Sequence, residues 1–343
     1  MSEPDGGDGD RSTDAPGGTA VSRRTFVAGA SAAAAGSAIG TGTADAVATD
    51  GGTDDRSEGG GGDPAVIAHR GYAGLYPENT VGAVEASSAE GDADSVARQP
   101  ADMIEIDVVP TADGDVVVFH DDRLAERDGG ERGLTDASGV VWEEPTDVVT
   151  SAEVLESGET VPLLTEVMDA IPPSVGVNVE FKNPGSFDLE FDAKLSGDAL
   201  EAQKDVWRPF TEGVLAVVED YENDILVSSF YEAAIATVRE RSGIPVAPLL
   251  WNGIEDGLAI AREYDAEAIH PPYNMIEGTP FFADPVYTDT VMWEDIDLLS
   301  VAHDEGRDVN AFTVQTWYEA EQLAAAGVDG IIADYPGLLG FVQ

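Results

Sequence analysis

From Pro64 onward, short apolar runs alternate with longer stretches of mixed polarity. Runs suited to strands buried on both faces occur at Val66–Ala68, Met103–Val109, Val175–Phe181 and Ile225–Phe230. Four more follow at Val246–Leu250, Ala266–Ile269, Val309–Val314 and Gly330–Ala333. Helical patterns lie between most of them, among them Tyr231–Arg241, Gly257–Tyr264 and Thr316–Ala326. Eight strands joined by helical crossovers predict an α/β fold of (β/α)8 TIM-like barrel type rather than an open doubly wound sheet.

Two segments break the alternation. Asp113–Gly114 sits between Val108-Val109 and Val116–Phe119, a hairpin signal after the second strand. The returning strand would carry His120 back to the barrel mouth, and the stretch at about 122–162 reads as a small insertion over that mouth. The polar run Gly91–Pro100 lengthens the first crossover and predicts a surface loop without a chemical role.

The first 63 residues follow a different pattern. Ser22–Val27 reads S-R-R-T-F-V and leads into a weakly apolar, Ala/Gly-rich stretch up to about Val47. Paired arginines ahead of such a stretch predict a twin-arginine export signal over residues 1–48, with small residues for cleavage at Ala46-Val47-Ala48. Interruption by Gly, Ser, Thr and Asp45 argues against a membrane span. Residues 49–63 form a Gly/Asp linker that cannot bury a core, which leaves 64–343 as the barrel domain. The expected location is therefore extracellular, with the twin-arginine export machinery as a partner during secretion.

Composition narrows the function classes. Asp and Glu number 67 against 17 Lys and Arg, a formal charge of −50. Nucleic acid and anionic membrane surfaces are unsuited as partners for such a chain. The acids are spread along the sequence rather than blocked into a tail, which predicts adaptation to molar salt. Cysteine is absent, so disulfides, thiolate catalysis, Cys-ligated zinc and a Cys-linked lipid anchor are excluded.

The candidate chemistry lies in a few short strings. A-H-R-G spans Ala68–Gly71, E-I-D-V spans Glu105–Val108, F-H-D spans Phe119–Asp121 and V-E-F-K spans Val179–Lys182. Residues two apart on a strand share a face, so Glu105 converges with Asp107, and Glu180 with Lys182. At the C-terminal ends of barrel strands these groups would face one mouth. Three carboxylates, two imidazoles, an arginine and a lysine are the parts for metal-assisted attack on a phosphate ester. Glu105, Asp107 and Glu180 suit a hard divalent cation, Mg²⁺ or Ca²⁺. Arg70 offers a planar fork to the substrate phosphate. Lys182 offers a point charge to it, or else pairs with Glu180 or Asp107. His69 and His120 fit a general acid and base, with the assignment between them open. His270 is either a substrate contact or a structural cap, and His303 reads as solvent-facing. No P-loop, H-E-x-x-H or serine-elbow pattern competes.

These strings resemble the glycerophosphodiester phosphodiesterase family. The pattern reads H-R-G at His69–Gly71, P-E-N-T at Pro77–Thr80 and E-I-D-V-V-P-T-A-D-G at Glu105–Gly114. It continues as V-V-F-H-D at Val117–Asp121, V-E-F-K at Val179–Lys182 and G-V-D-G-I-I-A-D-Y-P at Gly327–Pro336. The resemblance implies metal ligands at Glu105, Asp107 and Glu180, and cleavage of glycerophosphodiesters to an alcohol and glycerol phosphate. Asn79 and Thr80 suit helix N-caps, so P-E-N-T reads as mainly structural, with Glu78 as a possible orienting group. Where the family has a Trp-Thr-Val-Asn run, this chain has Phe312–Gln315, F-T-V-Q, which puts a polar contact there in question. One alternative is a lysophospholipase D-like enzyme, which needs an exposed apolar platform that an all-acidic rim would disfavour. Another is an exported binding barrel without catalysis.

The charge generates a prediction. Repulsion at −50 is relieved by added cations, the screening length falling from about 30 Å at 0.01 M to about 3 Å at 1 M. Thermal unfolding in increasing KCl should show the melting temperature climbing into the molar range. A flat profile would contradict salt adaptation.

Overall fold

The computed structural model describes residues 63–89, 100–127, 133–286 and 293–339. The expected export segment and linker, apart from Asp63, lie outside these residues, as does the loop at Gly91–Pro100 apart from Pro100. Nine strands form among the described residues: β1 (Ala65–His69), β2 (Met103–Pro110), β3 (Val116–Val118), β4 (Gly176–Phe181) and β5 (Ile225–Ser229). The remainder are β6 (Val246–Pro248), β7 (Ala268–Ile269), β8 (Asp308–Val314) and β9 (Gly330–Ala333). Eight of them run parallel in the order β6-β5-β4-β2-β1-β9-β8-β7, with β3 antiparallel on β2. A parallel bridge between Leu249 and His270 joins the two ends and nearly closes the ring. The (β/α)8 barrel read from the apolar runs is the observed fold.

Alternation along each strand sorts the side chains. Outward residues such as Ile104, Ile106, Val177, Val179 and Phe181 pack beneath the helices. The 22-residue helix Gly197–Val218 covers β4, stacking Trp207 on Phe181 at 6.3 Å between ring centroids. Inward residues Ile67, Met103, Leu226, Ala247, Ala268 and Ile332 fill the lower barrel with a small apolar plug. Above it the interior turns polar, and Asn178 donates to Ser228 Oγ at 3.0 Å.

Strand register then places the chemistry. His69 pairs across from Glu105, Asp107 from Glu180, and Glu180 from Ser228. Phe119 N donates to Asp107 O at 2.9 Å, so the hairpin returns His120 to the mouth, as its sequence predicts. The insertion that follows carries its own core of Val109, Phe119, Leu124, Val141, Val149 and Val154. No helix among the described residues is long and apolar enough to cross a membrane.

Candidate active site

Glu105, Asp107 and Glu180 are fully buried and converge, with one oxygen of each lying within 4.8 Å of the others. Glu105 Oε2 accepts from Arg70 N at 2.9 Å, while Oε1 is buried without a hydrogen-bond partner. Burial, followed by repulsion from Asp107, holds the Glu105 carboxyl well above the usual carboxylate range. An all-oxygen donor set with an orphaned buried oxygen fits a hard divalent cation.

Two side-chain cations share this anionic pocket. Lys182 Nζ lies 2.9 Å from Glu180 Oε1 and 3.3 Å from Asp107 Oδ1, so it reaches both of the carboxylates considered for it. Arg70 Nε lies 3.1 Å from Asp107 Oδ2, and its Nη1 donates to Glu78 Oε1 at 2.6 Å. The turn that swings Arg70 back over β2 puts Arg70, Gly71, Tyr72 and Asn79 at positive φ. A Cβ at Gly71 would meet Ala83 Cβ at 2.9 Å, so only glycine fits there. Left-handed conformations at three residues other than glycine concentrate strain beside the pocket.

Each candidate acid–base histidine is anchored through Nδ1. His69 Nδ1 lies 2.5 Å from Asp334 Oδ1, and Gln315 Nε2 donates to Asp334 Oδ2 at 2.7 Å. Burial, then Arg70, pushes the His69 imidazole down, which favours a neutral ring. Burial would raise Asp334, but His69 and the hydrogen bonds from His69 and Gln315 hold its carboxyl below its ordinary value. His120 Nδ1 lies 2.7 Å from Asp121 Oδ1, and burial pushes the Asp121 carboxyl up to about 6. Arg127, in the insertion, donates to both oxygens of Asp121 and of Glu78. Burial alone would raise Glu78, but Arg70 and Arg127 hold its carboxyl at about 2.

All seven singled-out side chains, His69, Arg70, Glu105, Asp107, His120, Glu180 and Lys182, come together at the mouth. His270 instead lies inside the barrel, fully buried, with Nε2 3.5 Å from Asn310 Nδ2. His303 is exposed and pairs with Asp329 at 2.9 Å.

Three expectations change. Thr80 does cap the helix Val81–Ser88, but Asn79 turns to the site: its Nδ2 donates to Asp107 Oδ2 at 2.9 Å and its Oδ1 accepts from Asp107 N. P-E-N-T therefore carries site contacts as well as a cap. The glutamine in F-T-V-Q supplies a polar contact, to Asp334. The rim is also not all acidic. Leu75, Phe187, Phe191, Phe282, Trp317 and Tyr335 are exposed, each in a segment following the C-terminal end of a barrel strand. An aromatic path runs from Phe312 inside the barrel to Phe230 (6.4 Å) and on to Phe191 (4.7 Å).

Asp334 and Arg127 also belong to the site, although no motif singles them out. Asp334 stands in G-V-D-G-I-I-A-D-Y-P, four residues past the start of β9, where its place at a strand end is the available signal. Arg127 lies in a stretch with no periodicity and gave none.

The chain matches the Glycerophosphoryl diester phosphodiesterase family over residues 69–338. A glycerophosphodiester phosphodiesterase of Bacillus altitudinis is 27% identical over 292 residues, covering 79% of this chain and 94% of that one. Another, from Caldanaerobacter subterraneus subsp. tengcongensis, is 27% identical over 281 residues, covering 80% and 95%. The fold is similar to that of an Oleispira antarctica phosphodiesterase solved with the product sn-glycerol-3-phosphate. That likeness has a TM-score of 0.59 at 23% identity, over 81% of this chain and 95% of that one.

The acid cluster predicts a cation site. Titration calorimetry should detect Mg²⁺ or Ca²⁺ binding that Glu105→Gln weakens at least about 10-fold, as loss of one anionic oxygen ligand implies. Equal binding by the variant would remove Glu105 from the ligand set.

Proposed function

The chain belongs to the Glycerophosphoryl diester phosphodiesterase family, and from that premise we propose that it hydrolyses glycerophosphodiesters to an alcohol and glycerol phosphate. The observation that carries the reading is the pairing of a buried three-carboxylate pocket with two histidines, each fixed through Nδ1 by its own carboxylate.

A neutral ring whose Nδ1–H is given to a carboxylate works through Nε2. One histidine, neutral, would take the proton from the attacking water, or first from a hydroxyl of the substrate, on its Nε2; the other would enter the reaction as the imidazolium and give its Nε2 proton to the departing alkoxide. The phosphorus–oxygen bond to the alcohol breaks as the bond to the attacking oxygen forms. Arg70 and Lys182 would hold the phosphoryl oxygens, turning toward substrate from the carboxylates they now touch. A divalent cation held by Glu105, Asp107 and Glu180 would offset the charge that develops on those oxygens. The floor of the site is closed by the polar interior layer and, below that, by the apolar plug.

A second reading has its own support. The aromatic path and the exposed apolar rim suit an alcohol with an apolar body, so a lysophospholipase D-like reaction is favoured more than charge alone suggests. A non-catalytic binding barrel has no such support, because both histidine–carboxylate pairs are complete. Export through the twin-arginine route, supported by residues 1–48, and adaptation to molar salt, supported by the charge of −50, complete the proposal.

Turnover of glycerophosphodiesters at high salt should stop on chelation and return with Mg²⁺ or Ca²⁺. His69→Ala and His120→Ala should each lower kcat by roughly 10²–10⁴ with little change in melting temperature, whereas His303→Ala should be silent. Full turnover in excess chelator would sink the metal assignment, and a near-normal kcat would remove the histidine concerned. Lysophospholipids assayed beside the glycerophosphodiesters decide between the two readings by which is cleaved with the higher kcat/KM.

A further inference from the structure

We propose that Arg127 is a positioning residue that locks the His120 side of the site to the Arg70 side, an inference whose kinetic consequence rests on the phosphodiesterase reading above. Its guanidinium uses three nitrogens on two carboxylates. Nη1 donates to Glu78 Oε2 at 2.9 Å and Nη2 to Glu78 Oε1 at 2.6 Å. Nε donates to Asp121 Oδ2 at 3.0 Å and to Oδ1 at 3.3 Å. Beyond each carboxylate stands a group of the site. Glu78 Oε1 also takes Arg70 Nη1 at 2.6 Å, and Asp121 Oδ1 takes His120 Nδ1 at 2.7 Å.

The consequence follows from charge and tautomer. Glu78 and Asp121 are buried, and Arg127 hydrogen-bonds to both. An ionised Asp121 can only accept, so it obliges His120 to carry its proton on Nδ1 and to present the lone pair of Nε2. Even beside Arg127 the Asp121 carboxyl is pushed up by burial. Without that guanidinium, Asp121 would protonate and donate to Nδ1, and His120 would adopt the opposite tautomer. At the same time Glu78 would lose two of its three cationic hydrogen bonds and hold Arg70 less firmly over Asp107. A lysine cannot replace the fork, because a single ammonium serves one carboxylate at a time. The insertion does not need Arg127 for its own packing, since its core is built from Val109, Phe119, Leu124, Val141 and their apolar neighbours.

The test compares the full-length Mg²⁺-loaded protein with Arg127→Lys and Arg127→Met, and with Arg123→Met as control. Arg123 belongs to the same insertion, but its guanidinium lies 3.9 Å from Glu126 and over the Phe187 ring, away from Glu78 and Asp121. Four histidines give a sparse ¹⁵N ring spectrum, from which the His120 tautomer can be read directly, with His69 as internal reference. Both Arg127 variants should shift neutral His120 away from the Nδ1–H form while His69 stays as it is. With glycerophosphocholine as substrate, kcat should fall about 10–100-fold with KM changed by less than about threefold. Arg123→Met should match the unsubstituted protein in both readings. An unchanged His120 tautomer in the Arg127 variants overturns the proposal whatever the activity does, and so does a shifted tautomer with unchanged kcat. If Arg127→Met fails to fold, Arg127→Lys supplies the same readings. If the unsubstituted protein does not cleave glycerophosphocholine, the phosphodiesterase reading is what suffers, and the tautomer alone decides the role of Arg127.

Discussion

Three carboxylates in a buried pocket repel one another and lose their hydration, and the barrel is organised around that electrostatic strain. The arrangement is stable only if positive charge and hydrogen-bond donors reach Glu105, Asp107 and Glu180 from several directions. Lys182 approaches from their own sheet, two residues past Glu180. Arg70 arrives from the strained turn after β1, bringing both its guanidinium and its backbone N–H. Asn79 adds an amide from the end of the same turn. Such a pocket has a built-in demand for a cation, and in a phosphodiesterase that demand coincides with the need to bind an anionic substrate beside acidic ligands.

Around the acids, the site uses one device twice. His69 and His120 sit on different elements, yet each gives Nδ1 to a carboxylate that is itself held, Asp334 by Gln315 and Asp121 by Arg127. The supports are neutral on one side and cationic on the other. Burial weighs on Asp121 with less relief than on Asp334, whose carboxyl stays below its ordinary value. The two imidazoles therefore sit in unlike surroundings, a difference that the proposed division into acid and base would use.

The barrel was legible in the sequence because buried parallel strands are written as short apolar runs, and each of the eight runs overlaps a strand. The i, i+2 pairs were legible for the same reason: a strand fixes which side chains share a face, so Glu105 with Asp107 and Glu180 with Lys182 needed no tertiary information. What the sequence concealed was contact between distant segments. Asp334 lies 265 residues from the histidine it anchors, and no local pattern marks such a pair. Asn79 suits an N-cap by its side chain, and only the left-handed turn sends it to Asp107 instead. The apolar rim was hidden by composition. A chain averaging one acid in every few positions gives no sign that its exposed aromatic side chains gather where the barrel strands end.

The central claim is that Glu105, Asp107 and Glu180 together hold a divalent cation at the barrel mouth. Anomalous diffraction from crystals soaked in Mn²⁺ tests it most directly. The account predicts one strong peak bonded to oxygens of all three side chains, with Lys182 withdrawn from at least one of the carboxylates it now touches. A peak elsewhere, or none while Lys182 still bridges Glu180 and Asp107, would contradict it.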